Sequence, residues 1–258
     1  MPKASRDGVW LYYQEAGSGP GAMVFIHGAT CDHTFLQPQY DHFRNTHRVL
    51  ALDLRGHGQS DKPRQKYTMA GFAQDVAWLC QELGIKKAAL VGHSLGGTVA
   101  LKLAGLFPEL VSAVAALDST VISSRERLEK ILPALLARLR QPDYLAAFCT
   151  YFEAAFEPAD DLQRKAAILE KMCAAPQHVI ISLFEEFMAW DGVEAVKDLK
   201  APFLYIAATR WRTDQNLLKE LCPQLIAAQV VAAGHFLQLE VPEQVNPMLA
   251  RFFNCQGI

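Results

Sequence analysis

Apolar and polar positions follow two rhythms along this chain, and the rhythms take turns. Val9–Gln14 alternates loosely and runs into the turn cluster Gly17-Ser18-Gly19-Pro20-Gly21. Met23–Ile26 is a continuous apolar run of strand length closed by His27-Gly28, and Val49–Asp53 is another, followed by Arg55-Gly56-His57-Gly58. Between Thr68 and Leu83 the spacing changes. Phe72, Val76, Leu79 and Leu83 fall on one helical face, and Gly84 stops the run. Ala88–Gly92 predicts a strand, Leu95–Phe107 a helix of small residues ending at Pro108, and Val111–Leu117 a strand ending at Asp118. From about Val121 to Lys197 the signals are helical only, at Arg127–Arg140, Tyr144–Phe156, Leu162–Ala174 and Val179–Trp190. Alternation then resumes, with a strand at Phe203–Ala207, a helix at Asp214–Leu221, a strand at Gln229–Ala232 and a last helix at Glu243–Phe253.

Repeated strand–helix units imply an α/β fold, with a mostly parallel sheet of about eight strands flanked by helices. Strands that are apolar along their whole length fit burial on both faces. The all-helical block interrupts the pattern. Residues 1–120 and 196–258 are expected to form the core, and 121–195 a helical cap. The cap would lie over the carboxyl ends of the strands, where open α/β sheets hold their sites. Neither an internal repeat nor a low-complexity tract is visible.

Composition narrows the partners. The 258 residues are 51% hydrophobic and 20% charged, with a net charge of −2, which suits a compact chain with a large core. No stripe of Lys and Arg forms, so nucleic acid is not an expected partner. Met1–Asp7 is polar and lacks the apolar stretch of a secretory signal, and the longest apolar runs are too short to cross a bilayer. Cys31, Cys80, Cys149, Cys173, Cys222 and Cys255 are scattered without a C-x-x-C pair. They read as reduced thiols in a cytoplasmic protein. Neither a metal site nor a Gly-rich dinucleotide loop appears, so no cofactor is expected.

Gly92-His93-Ser94-Leu95-Gly96 fits the G-x-S-x-G pattern, with Gly97 following. Its context is the one that a nucleophile elbow needs: a strand runs into it and a helix leaves it. The glycines let backbone segments approach closely, and the helix N-terminus favours negative charge developing above Ser94.

With this motif the chain resembles the α/β-hydrolase superfamily, in the serine hydrolase branch that carries a helical cap after the sixth strand. Four segments carry the likeness, in the family's order and across nearly the whole chain: Phe25-Ile26-His27-Gly28, Asp53-Leu54-Arg55-Gly56-His57-Gly58-Gln59-Ser60-Asp61, Val91–Gly97 and Gly234-His235. The resemblance implies Ser94 as nucleophile and His235 as general base, since the family's order is Ser, acid, His. It implies an oxyanion hole made by the backbone N–H groups of Ala29 and Leu95. His93 reads as a packing or hydrogen-bonding neighbour, His27 and His57 as turn residues, and His33, His42, His47 and His178 as ordinary.

The acid departs from the usual pattern. Most relatives carry it just after the seventh strand, yet Ala207-Ala208-Thr209-Arg210-Trp211-Arg212-Thr213 has no carboxylate. Asp214 comes late, and Thr213-Asp214 also reads as a helix start. Asp118, at the end of the sixth strand, is the favoured candidate, with Asp214 as the alternative and absence of an acid still open. Arg210 and Arg212 fill the stretch where the acid usually sits, and one of them could bind a substrate carboxylate.

The expected reaction is carboxylic-ester hydrolysis through an acyl-enzyme, with lactones and thioesters using the same parts. Ser at the nucleophile position argues against the dehalogenase and epoxide-hydrolase chemistries, which in this superfamily use Asp there. Two other readings stay open: cofactor-independent oxygen chemistry or C–C bond hydrolysis and lyase activity on the same site, and a hydrolase-like ligand sensor with slow turnover. The cap supplies Phe148, Tyr151, Phe152, Phe156, Met172, Phe184, Phe187, Met188 and Trp190, which suits a small, moderately hydrophobic substrate with an uncharged acyl or alcohol group.

Overall fold

Strands β1 (Lys3–Arg6), β2 (Val9–Ala16), β3 (Ala22–Ile26), β4 (Arg48–Leu52), β5 (Ala88–His93), β6 (Val111–Leu117), β7 (Phe203–Ala207) and β8 (Leu225–Gln229) form one sheet in a computed structural model that describes residues 2–258. Their order is β1-β2-β4-β3-β5-β6-β7-β8. β1 and β2 run antiparallel to their neighbours, and all pairings from β4 to β8 are parallel.

The central strands are apolar throughout because both faces are covered. Along β3, Ala22, Val24 and Ile26 join the core on one side of the sheet, while Met23 and Phe25 join the core on the other. Helices α1 (Gln37–Phe43), α2 (Met69–Glu82) and α3 (Leu95–Leu106) flank the amino-terminal half. Phe72, Val76 and Leu79 of α2 and Val99 and Leu103 of α3 pack on the first face, and Tyr40 and Phe43 of α1 on the second. Thr68 caps α2 by accepting from Gly71 N.

Between β6 and β7 the chain runs through α4 (Leu132–Leu139), α5 (Tyr144–Glu153), α6 (Leu162–Cys173), α7 (Gln177–Ala189) and the short α8 (Gly192–Val196). Arg127–Ile131 is wound as π-helix and runs without a break into α4, so this segment is one continuous helix with a wider first part. Phe148, Phe152, Phe184, Leu132 and Met172 of these helices share one hydrophobic cluster with Phe35 after β3 and Phe236 beside His235, which seats the helices on the sheet's loops. After β7 follow α9 (Gln215–Leu221), α10 (Leu237–Glu240) and α11 (Pro242–Cys255). Among the described residues no helix is long and apolar enough to cross a membrane.

Short elements at the edges of the fold differ from the sequence reading, α8 and α10 among them. β1 forms from a polar segment, because it pairs along β2 at the sheet edge and half of its residues stay exposed. α1 arises without a strong apolar period, held by Pro38 in its first turn and by the burial of Tyr40 and Phe43. The last strand lies at Leu225–Gln229 rather than at 229–232. Val231 is exposed instead, and Ala232 takes a left-handed φ of 55°, which ends any extended run.

Candidate active site

Ser94 sits between β5 and α3 with φ 53° and ψ −115°, a left-handed conformation that strains a residue bearing a Cβ. The surrounding backbone holds it there. Ser94 N donates to Leu117 O at 2.9 Å, and Ser94 O accepts from Gly97 N at 3.1 Å. The turn also needs Gly92 and Gly96. A Cβ on Gly92 would meet the backbone of Gly96, and one on Gly96 would meet the carbonyl of Ile26. The Ser94 side chain makes no cap bond to α3 and lines a cavity beneath the cap.

His235 lies in the loop after β8 and is buried. Three separate contacts fix that loop. His235 N donates to Ala155 O, next to α5, at 2.7 Å, and the His235 carbonyl accepts from His93 Nε2 at 2.8 Å. Glu240 accepts from both flanking amides, Gly234 N at 2.7 Å and Phe236 N at 3.1 Å. The ring Nδ1 contacts Asp118 Oδ2 at 2.7 Å, so Nδ1 carries the proton and Nε2 is the basic nitrogen. Burial holds the His235 pKa well below 6.5, and the positive Arg212 and Arg127 push in the same direction.

Asp118 leaves the end of β6 with a φ of 44° and is fully buried. Three N–H donors converge on its carboxylate. Ala208 N reaches Oδ1 at 3.2 Å, while Oδ2 accepts from His235 Nδ1 and from Arg212 Nε, the latter at 2.8 Å. Burial raises its pKa, and the Arg212 guanidinium is the main group pulling the other way.

Asp214 is not near this cluster in its contacts. It is the N-cap of α9, accepting from Asn216 N and Leu217 N. Thr213, rather than capping, accepts from Ile122 N at 2.8 Å. Arg210 lies in solvent, 3.8 Å from Glu157, while Arg212 turns inward. His33 is less ordinary than its sequence suggested. Its backbone N and its Nδ1 both contact Asp53 Oδ1, at 2.7 and 2.8 Å, and so tie the loop after β3 to the loop after β4. His27 reinforces that link: its Nδ1 donates to Gly28 O and its Nε2 accepts from Leu54 N. Ala29 is held on this braced loop, and the Leu95 amide opens α3, where no intrahelical acceptor exists.

The cavity has a volume of about 380 Å³ and is bounded by Ser94, His235, Ala29 and Leu95 below. Tyr151, Phe152, Phe184, Phe187 and Trp190 also line it, as do Thr98, Thr120, Ser123 and Thr150. Phe148 and Met172 are instead interior to the cap. Two arginines, Arg127 and Arg212, also line it. Sequence alone gave Arg127 no role, since nothing local reveals that its turn faces the cavity. Among the described residues no group of three or more His, Cys, Asp or Glu side chains could hold a metal ion.

Comparison with known proteins identifies the family and the fold. The profile of the alpha/beta hydrolase fold family matches residues 21–242. A 2-(acetamidomethylene)succinate hydrolase of Mesorhizobium japonicum is 33% identical over 268 residues, covering 96% of this chain and 92% of that protein. Est816, a solved structure described as an N-acyl homoserine lactone degrading enzyme, superposes with a TM-score of 0.84 at 30% identity, covering 97% of this chain and all of that one. An enol-lactonase from Burkholderia xenovorans shares the fold at a TM-score of 0.84 and 22% identity.

Proposed function

Because this chain belongs to the alpha/beta hydrolase family and is a hydrolase of that fold, we propose that it cleaves carboxylic esters or lactones through an acyl-enzyme on Ser94. The observation that carries this reading is the 2.7 Å contact between His235 Nδ1 and Asp118 Oδ2, on a cavity wall that His235 shares with Ser94.

His235 Nε2 takes the Ser94 proton as Oγ attacks the substrate carbonyl. Asp118 holds the ring in the tautomer that leaves Nε2 basic and stabilises the imidazolium as it forms. The amides of Ala29 and Leu95 donate to the oxyanion of the tetrahedral intermediate. Collapse releases the alcohol, which takes the proton from His235. Water, deprotonated by the same nitrogen, then attacks the acyl group, releases the acid and restores Ser94. Lactones follow the same course, except that the alcohol stays attached to the product acid. The description of Est816 as a lactone-degrading enzyme supports the lactone reading, and the name of the Mesorhizobium japonicum relative supports hydrolysis in general.

The test is a panel of p-nitrophenyl esters from acetate to octanoate, assayed with the wild type and with Ser94→Ala. Turnover that disappears in Ser94→Ala is the expected result. Turnover that persists unchanged in that variant would overturn the acyl-enzyme.

A further inference from the structure

The cavity over Ser94 is electrostatically one-sided. Arg127 and Arg212 both line it, and no Asp or Glu does. Arg212 uses only Nε on Asp118, which leaves its two terminal nitrogens without a partner among the described residues. Arg127 forms no ion pair among those residues either. Its guanidinium carbon lies 5.9 Å from the Tyr151 ring centroid. Its neighbours behave differently: Arg125 pairs with Glu129, Arg138 with Asp143 and Arg140 with Glu185. Arg127 thus differs from Arg125, Arg138 and Arg140 in facing the cavity without an acidic partner. Both arginines act on His235, so their charge reaches the reacting centre.

A guanidinium that is partly withdrawn from water and unpaired loses hydration without compensation. Its fork of N–H donors matches a carboxylate in two-pronged fashion. The aromatic wall of Phe152, Phe184, Phe187 and Trp190 suits the short carbon skeleton between such a group and the scissile carbonyl.

Resting on the hydrolase reading above, we propose that the substrate carries a carboxylate that Arg127 and Arg212 bind while its ester or lactone carbonyl lies at Ser94. Arg127 is the separable half of this subsite, because Arg212 also holds Asp118.

Matched ester pairs test it. One pair carries the charge on the acyl side: p-nitrophenyl hemiglutarate against p-nitrophenyl pentanoate. The other carries it on the alcohol side: 4-acetoxybenzoate against its methyl ester. The expected result is a kcat/KM advantage of about tenfold or more for the charged member of one pair, the size of one charged hydrogen-bonded contact. That advantage falls toward unity in Arg127→Gln, and the pair that has it tells which side of the scissile bond bears the carboxylate. Preference for the neutral member of both pairs, with turnover still dependent on Ser94, overturns the subsite and leaves the hydrolase reading standing. A direct binding measurement covers the case in which none of these esters turns over. Titrating the protein with monomethyl succinate should perturb Trp190 fluorescence at lower concentration than dimethyl succinate does, and Arg127→Gln should abolish the difference. Equal response to the two overturns the proposal whatever the activity.

Discussion

Arg212 Nε and His235 Nδ1 meet on a single oxygen atom, Oδ2 of Asp118, at 2.8 and 2.7 Å. The segment after β7, where the family usually carries its acid, here carries an arginine that reaches back to an acid supplied by β6. The ends of β6 and β7 thus contribute opposite charges to one cluster.

If Asp118 orients His235, Asp118→Asn should lower kcat about 10³- to 10⁴-fold, since an amide no longer favours the productive tautomer. Circular dichroism should show the fold intact. Asp214→Asn should leave kcat unchanged, because Asn caps a helix as well as Asp does. Measuring kcat for both variants separates the two carboxylates. A fully active Asp118→Asn would remove Asp118 from the mechanism.

Much of this arrangement was legible in the sequence, and what was missed has physical causes. β3 to β7 announce themselves because burial on both faces demands unbroken apolar runs. β8 does not: its residues are half-exposed, and the neighbouring Val230-Val231 imitates a better strand than the real one. Ser94 and His235 could be named from short motifs. Asp118 could be offered only as one of two candidates, with absence of an acid still open, because its contact with His235 spans 117 positions of chain and no local pattern encodes it. The positioning role of Glu240 and the inward aim of Arg127 belong to packing alone.

The pH profile should follow the charges around His235. Its pKa lies well below 6.5, with burial as the largest cause and Arg212 and Arg127 adding to it. The imidazole therefore stays neutral and basic into mildly acidic solution, and the acid limb of kcat/KM should fall below pH 6.5. Removing a positive charge relieves part of the depression, so Arg127→Gln should move that limb to higher pH. A neutral substrate isolates this effect from substrate binding. A limb that moves the other way would contradict the assigned electrostatics.

Glu240 ties down the amides on both sides of His235, and its pKa is raised from 4.5 to about 7, first by burial and further by Asp160. The folded state thus holds a proton there that the unfolded chain releases from about pH 4.5 upward. This contribution to stability is full below 4.5 and is lost as pH rises through about 7. Glu240→Gln cannot titrate. Thermal melts of the two proteins should show the Tm of the variant rising relative to wild type between those values, and a constant offset above them. A constant offset at every pH would remove Glu240 as a titrating group.

The elbow leaves no room for a methyl group at Gly96, where a Cβ would strike the carbonyl of Ile26. Gly96→Ala should cost about 1–3 kcal/mol by forcing α3 away from β3. In a domain of this size that lowers Tm by about 2–4 °C for each kcal/mol. Differential scanning calorimetry reads the shift, and an unchanged Tm would mean that the turn yields without cost.

The hydrogen bond from His235 N to Ala155 O joins the helical layer to the loop that bears the histidine. A gap between layer and sheet wide enough to admit a substrate on that side must break it. One backbone bond therefore ties the position of the helical layer to the position of the histidine, and a displacement of the end of α5 pulls directly on the residue that faces Ser94 across the cavity.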